Sequence, residues 1–188
     1  MTFDTRMDEL ILLLEKIVPE AEEVALNTLL GAYSYRIFNI GNASDESKIG
    51  DYSTKPMLTG SKGFRTASDA AAFFAQKQKW KTVKTKKGNQ ALAQVEGGYK
   101  QFRELNKLQS NYVDLDFKGD LKFSIVIGEL NGQKVLGFNS QVEADKATKL
   151  EAHFKKVIFK PTEEEKEIAR EAFYDYLREK IQTLFNSW

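Results

Sequence analysis

Met7, Leu10, Ile11, Leu14 and Ile17 fall at the three- and four-residue spacing of one helix face, with acids between them. Pro19 then stands where a first helical residue tolerates it, and the spacing resumes at Ala21, Val24, Ala25, Leu29 and Ala32. Two helices meeting at Pro19, or one kinked there, both satisfy the pattern. It runs to about Phe38 and stops near Gly41-Asn42. From Ile40 to Ser68 no period survives. Gly41, Gly50, Pro56, Gly60 and Gly63 lie there among Ser, Thr and Asn, which predicts a long loop with one short strand near Asp51–Thr54. A loop of that length in a compact domain is usually functional or disordered. Ala70, Phe73 and Phe74 restore helical spacing after Ser68, whose hydroxyl is placed to cap it. Gly97-Gly98 breaks the pattern, and Tyr99–Leu105 reads as a short helix.

Phe123–Leu130 and Lys134–Asn139 are β-prone runs joined at Asn131-Gly132. Both residues of that dipeptide tolerate positive φ, which makes it the strongest short-range hairpin signal. Val142–Phe154 predicts a helix and Val157–Phe159 an extended segment. Thr162 and Glu165 have capping-box spacing, with Glu163 and Glu164 placed to favour the positive end of the helix dipole. The helix they open carries Ile168, Ala172, Phe173, Tyr176, Leu177, Ile181, Leu184 and Phe185 on a broad apolar face. The predicted fold is α+β: a small antiparallel sheet around the Asn131-Gly132 hairpin, packed with N-terminal and C-terminal helices. It forms a single domain over 1–188, with long loop excursions at about 40–68 and 76–95.

Composition changes this picture only in places. A chain of 188 residues that is 41% hydrophobic and 29% charged buries a core without metals or disulfides. There is no cysteine, so disulfides, thiolate metal sites and cysteine nucleophiles are excluded. Asp4, Asp8 and Glu9 stand where a secretory signal wants basic residues, and the apolar run Leu10–Leu14 is too short to cross a membrane. The expectation is synthesis in the cytoplasm without membrane insertion. The formal net charge of +1 hides an asymmetry. Between Ala70 and Val95 there is no acid, while Lys77, Lys79, Lys81, Lys84, Lys86 and Lys87 surround Trp80. Three readings of that run stay open. It is a solvated hairpin whose charge discourages edge pairing, a loop that docks on an acidic protein surface, or a nucleic-acid contact with Trp80 free to stack.

Other candidate chemistry is sparse. His153 is the one histidine, with no second His or Cys to join it in a metal site, and is expected to be packed or surface-polar. Asp114, Asp116 and Asp120 form one close carboxylate group; in a strand, Asp114 and Asp116 would share a face suited to a divalent cation. The simpler expectation puts Val113 and Leu115 inward, the acids outward, and Asp120 in a turn after Gly119. No phosphate-binding glycine motif and no G-x-S-x-G elbow occurs. Nothing here supports an enzyme, and no cofactor is called for.

The run YVDLDFKGDLKFSI, then KVLGF, then KLEAHFKKVIFKPTEEE, is similar to the virion-morphogenesis or tail-completion (head–tail connector, neck) proteins of tailed bacteriophages. The resemblance rests on Gly119, Leu121, Ser124 and Ile125; on Val135 and Gly137; on His153 and Phe154; and on Phe159, Pro161 and Thr162 with Glu163–Glu165. The pieces YRIFNIG, IGDYSTKP and GGYKQFRELNKLQ look like segments that precede that core. Lys118 departs from the small hydroxyl residue usual before the glycine, and Lys77–Lys87 has no counterpart in the pattern. The resemblance implies a structural subunit of a homo-oligomeric ring in the virion, built in the host cytoplasm. Its partners would be portal, neck or tail proteins, with non-specific contact to packaged DNA. The alternative is a nucleic-acid-binding protein that uses the Lys77–Lys87 run.

Overall fold

The computed structural model describes residues 3–85 and 88–187. Phe3–Tyr35 is one helix, α1, continuous through Pro19. Pro19 has no N–H to give to the carbonyl of Glu15, but it is exposed, so that carbonyl is left on the solvent side. Arg36–Ile40 continues as a π-turn, closed where Gly41 N–H donates to the Arg36 carbonyl at 2.9 Å. Gly41 has φ of 80°, and a Cβ there would stand 2.6 Å from the Val113 carbonyl oxygen. Only glycine meets both conditions.

The remaining elements follow in order: β1 (Met57–Thr59), α2 (Ala67–Phe74), β2 (Trp80–Thr85), β3 (Gly88–Val95) and α3 (Gly98–Leu105). Then come α4 (Asp120–Ser124), β4 (Ile125–Leu130), β5 (Gln133–Phe138), α5 (Gln141–Phe154) and α6 (Glu163–Asn186). The class is α+β, as expected, with the hairpin turning at Asn131-Gly132, where φ is 53° and 78°. There are two small antiparallel sheets: β4 with β5, and a three-stranded one in the order β1-β3-β2.

Local details differ from the sequence expectation. The short strand lies at Met57–Thr59 and not at Asp51–Thr54, because it pairs with Ala93–Val95, a partner no local pattern discloses. The cap of α2 is Thr66, whose hydroxyl accepts from Asp69 N–H, and not Ser68. Phe123 belongs to α4 and is exposed, so β4 begins at Ile125. The segment 40–68 is tied to the body along its length: Ala43, Ile49 and Phe64 are buried, and Asn42 bridges to Lys48.

Two apolar clusters organise the chain. The first joins Tyr33, Ile37 and Phe38 to Ala43, Ile49, Val113, Leu121, Ile125, Ala147 and Ile158. The second joins Phe64, Ala70, Phe73, Ala93, Val95 and Phe102. Against the first cluster, α1 and α6 run antiparallel, held at one end by Arg36–Glu165 and further along by Tyr176 Oη donating to Glu20 at 2.7 Å. Beyond that cluster the buried apolar residues of the helix pair, among those described, are Ile17, Ala21 and Ala169.

Arg36 is a structural hub. Its Nε donates to Glu165 Oε1 at 2.7 Å, and its terminal nitrogens donate to the carbonyls of Asn42, Ile158 and Lys160. Glu165 also closes the expected capping box: its Oε2 accepts from Thr162 N–H while Thr162 Oγ1 accepts from Glu165 N–H. One buried carboxylate therefore starts α6 and ends α1.

Candidate functional site

Where the two clusters meet, a second buried arginine does the joining. Arg103, on α3, is 1% exposed. Its guanidinium donates to the Gln109 carbonyl and the Asp116 carbonyl at 2.7 Å each, and to Asp114 Oδ2 at 2.8 Å. It lies 4.5 Å from the centre of the Tyr52 ring, close enough for cation–π attraction. Tyr52 Oη donates to Asp114 Oδ1 at 2.8 Å and accepts from Asp114 N–H. Tyr52 packs on the first cluster and Tyr99 on the second, and their rings meet edge to face at 5.4 Å. Burial pushes both tyrosine hydroxyls above their ordinary ionisation range.

Beside this junction opens a pocket of about 400 Å³, walled by Tyr52, Tyr99, Phe117 and Phe154, with Asp51 and His153 also lining it. Its chemistry is limited. Arg103 directs donors to protein acceptors, and Asp114 is occupied by Arg103 and Tyr52. His153 is exposed and stands edge-on to Phe154 at 4.8 Å. Among the described residues no three His, Asp or Glu side chains gather as metal ligands. Asp114, Asp116 and Asp120 therefore do not converge. The expectation that the acids all face outward is corrected at Asp114, which is 5% exposed. The segment is not a strand; Leu115 has φ of 53°, which breaks the alternation the sequence suggested.

The lysine run forms β2 and its approaches. β2 is an edge strand, paired on one side only, with β3. Trp80 lies opposite Ala93 on the inner face, 54% exposed, with its ring stacked on Phe74 at 5.4 Å and 20°. Lys81 lies opposite Leu92 on the outer face, which also carries Val83. Lys77, Lys79, Lys81 and Lys84 are all exposed, and Lys79 pairs with Glu96 at 2.6 Å. Gly88–Ala91 of β3 are exposed in succession, so both faces of the outer hairpin stand clear of the body. Lys86 and Lys87 lie outside the described residues.

The arginines Arg36 and Arg103 escape a reading based on motifs, yet each left a signal. Arg36 is set in the apolar run Tyr35–Phe38, and Arg103 follows Phe102 on the face that α3 buries. An arginine placed on an apolar face needs a carboxylate partner from elsewhere in the chain.

No family model matches the chain, and no curated protein and no solved structure is significantly similar to it.

Proposed function

We propose that this chain is a structural virion subunit that assembles into a homo-oligomeric ring at the head–tail junction of a tailed phage, as connector, stopper or tail terminator. The observation that carries it is the apolar surface left open on α1, where Met7, Ile11 and Leu12 are 40%, 50% and 65% exposed. Apolar side chains grouped along one helix mark a surface that gains stability by meeting another protein. The resemblance of the stretch 112–161 to tail-completion proteins supports the same reading. The two arginine hubs supply a firm body, from which α1 and the lysine hairpin reach outward. The mechanism is mechanical: repeated bodies set the ring, and the reaching elements clamp neighbouring copies or the portal, neck and tail proteins above and below.

Trp80 favours a second reading. Phe74 covers one face of its ring, while more than half of the side chain stays accessible beside Lys79 and Lys81. That is a platform on which a nucleic-acid base can stack within a basic surround. Size-exclusion chromatography with light scattering, alone and with virion neck components, separates the two. The ring reading expects a discrete multimer of several copies. A chain that stays monomeric throughout and binds duplex DNA with steep salt dependence overturns it.

A further inference from the structure

Two exposed faces of the molecule have matching character. On α1, Asp8, Glu15 and Glu22 recur at seven-residue intervals, which puts them on one side of the helix about 10.5 Å apart. Ile11 and Leu12 lie between the first two, and all five side chains are exposed. Among the described residues none of these three acids has an ion-pair partner. On the hairpin, half-buried Val83 and Leu92 share the outer face with Lys81, while Lys84, which alternates to the other face, lies exposed along the same unpaired edge. Each face has an apolar centre bordered mainly by charge of one sign, basic on the hairpin and acidic on α1, where Lys16 one turn after Leu12 is an exception.

We infer that the outer face of the β2–β3 hairpin of one copy docks on the Asp8–Glu22 side of α1 in a second copy of this chain. This deepens the ring reading and rests on it. The charge balance selects the pairing. Residues 5–23 carry six acids and two bases, a net of −4, whereas residues 77–95 carry six lysines and no acid. Placing α1 against α1, or hairpin against hairpin, brings like charges together, so only the unlike pairing is attractive. Docking covers Ile11 and Leu12 with Val83 and Leu92, and it occupies the open edge of β2. A contact between two different patches, repeated from copy to copy, closes into a ring when the rotation allows.

Sedimentation velocity of the full chain at low salt tests this with two charge-reversed variants. One carries Lys81→Glu with Lys84→Glu, the other Glu15→Lys with Glu22→Lys. All four side chains are exposed, so both variants should melt like the parent. Each variant alone should associate at least about tenfold more weakly, and an equal mixture should recover to within about threefold, because the reversed faces complement one another. A mixture no better than its components overturns the contact, as does parental association in either variant alone. Loss of duplex DNA binding by the lysine variant with association intact assigns the hairpin to nucleic acid instead. Charge rescue in a species that saturates at a dimer keeps the contact and overturns the ring. Multimers of several copies that ignore both reversals keep the ring and overturn the contact.

Discussion

Replacing Arg103 by methionine keeps an unbranched apolar stem against the Tyr52 ring while removing every donor of the guanidinium. Asp114 is then left as a buried carboxylate, 5% exposed, with Tyr52 Oη as its remaining side-chain donor. Breaking a buried ion pair from one side costs about 3–5 kcal/mol, because the stranded charge keeps its desolvation penalty. The Gln109 and Asp116 carbonyls each lose a donor as well, at about 0.5–1 kcal/mol apiece. The single change should therefore cost about 4–7 kcal/mol, a large part of the 5–15 kcal/mol that holds a typical domain together. At about 2–4 °C per kcal/mol for a chain of this size, the melting temperature should fall by roughly 8–28 °C. Adding Asp114→Leu removes the stranded charge and should restore about 2–3 kcal/mol, although the two carbonyls and Tyr52 Oη stay unsatisfied. Urea unfolding with slope and midpoint fitted separately gives all three values. A loss under about 1 kcal/mol in the single variant, or a double variant no more stable than the single one, would refute the reasoning.

Three further outcomes follow from other parts of the molecule. Burial raises the ionisation of Tyr33, Tyr52 and Tyr99 above the ordinary value near 10. Their contribution to stability is thus complete below about pH 10 and is lost as pH climbs toward the raised values. Tyrosinate absorbance should show these three ionising together with alkaline unfolding, and ionisation in step with exposed tyrosines while the fold persists would contradict their burial. Thr162→Ala should cost about 1 kcal/mol as a lost helix cap. Glu165→Ala should cost about 3–5 kcal/mol because it also strands Arg36, so equal losses in thermal melts would deny the carboxylate its double role. Gly132→Ala has open space for its Cβ, so the left-handed backbone alone, at φ of 78°, sets a cost of about 1 kcal/mol. Faster hydrogen exchange across β4 and β5 would register it, and unchanged protection would argue against the turn.

Features written within a few residues were legible in the sequence. The Asn131-Gly132 turn and the Thr162–Glu165 box depend on two or four neighbouring residues, and both stand as expected. The cap of α2 was written in the same way: Thr66 and Asp69 have the spacing of a cap and its third residue, but Ser68 two positions on competes for the role. The rest depended on partners far away in sequence. β1 exists because β3 offers it an edge. Asp114 turns inward because Arg103 and Tyr52 wait there, against an alternation that assumed a strand. In the lysine run the charge was plain, but the sequence suggested a loop excursion with a hairpin as one open reading; the strands β2 and β3 and the stacking of Trp80 on Phe74 needed partners supplied by the fold.

The hydrogen bond between Arg36 and Glu165 spans 129 positions of the chain, and that distance has a consequence in time. A ribosome adding about 5–20 residues each second needs about 6–26 s to travel from one partner to the other. Throughout that interval the arginine lacks Glu165, and for nearly all of it the carbonyls of Ile158 and Lys160 that complete its shell do not yet exist. The first apolar cluster, which draws on both Ile37 and Ile158, cannot finish forming before then. A nascent chain therefore holds α1 without its closing ion pair, and the first core unfinished, until Glu165 has been added.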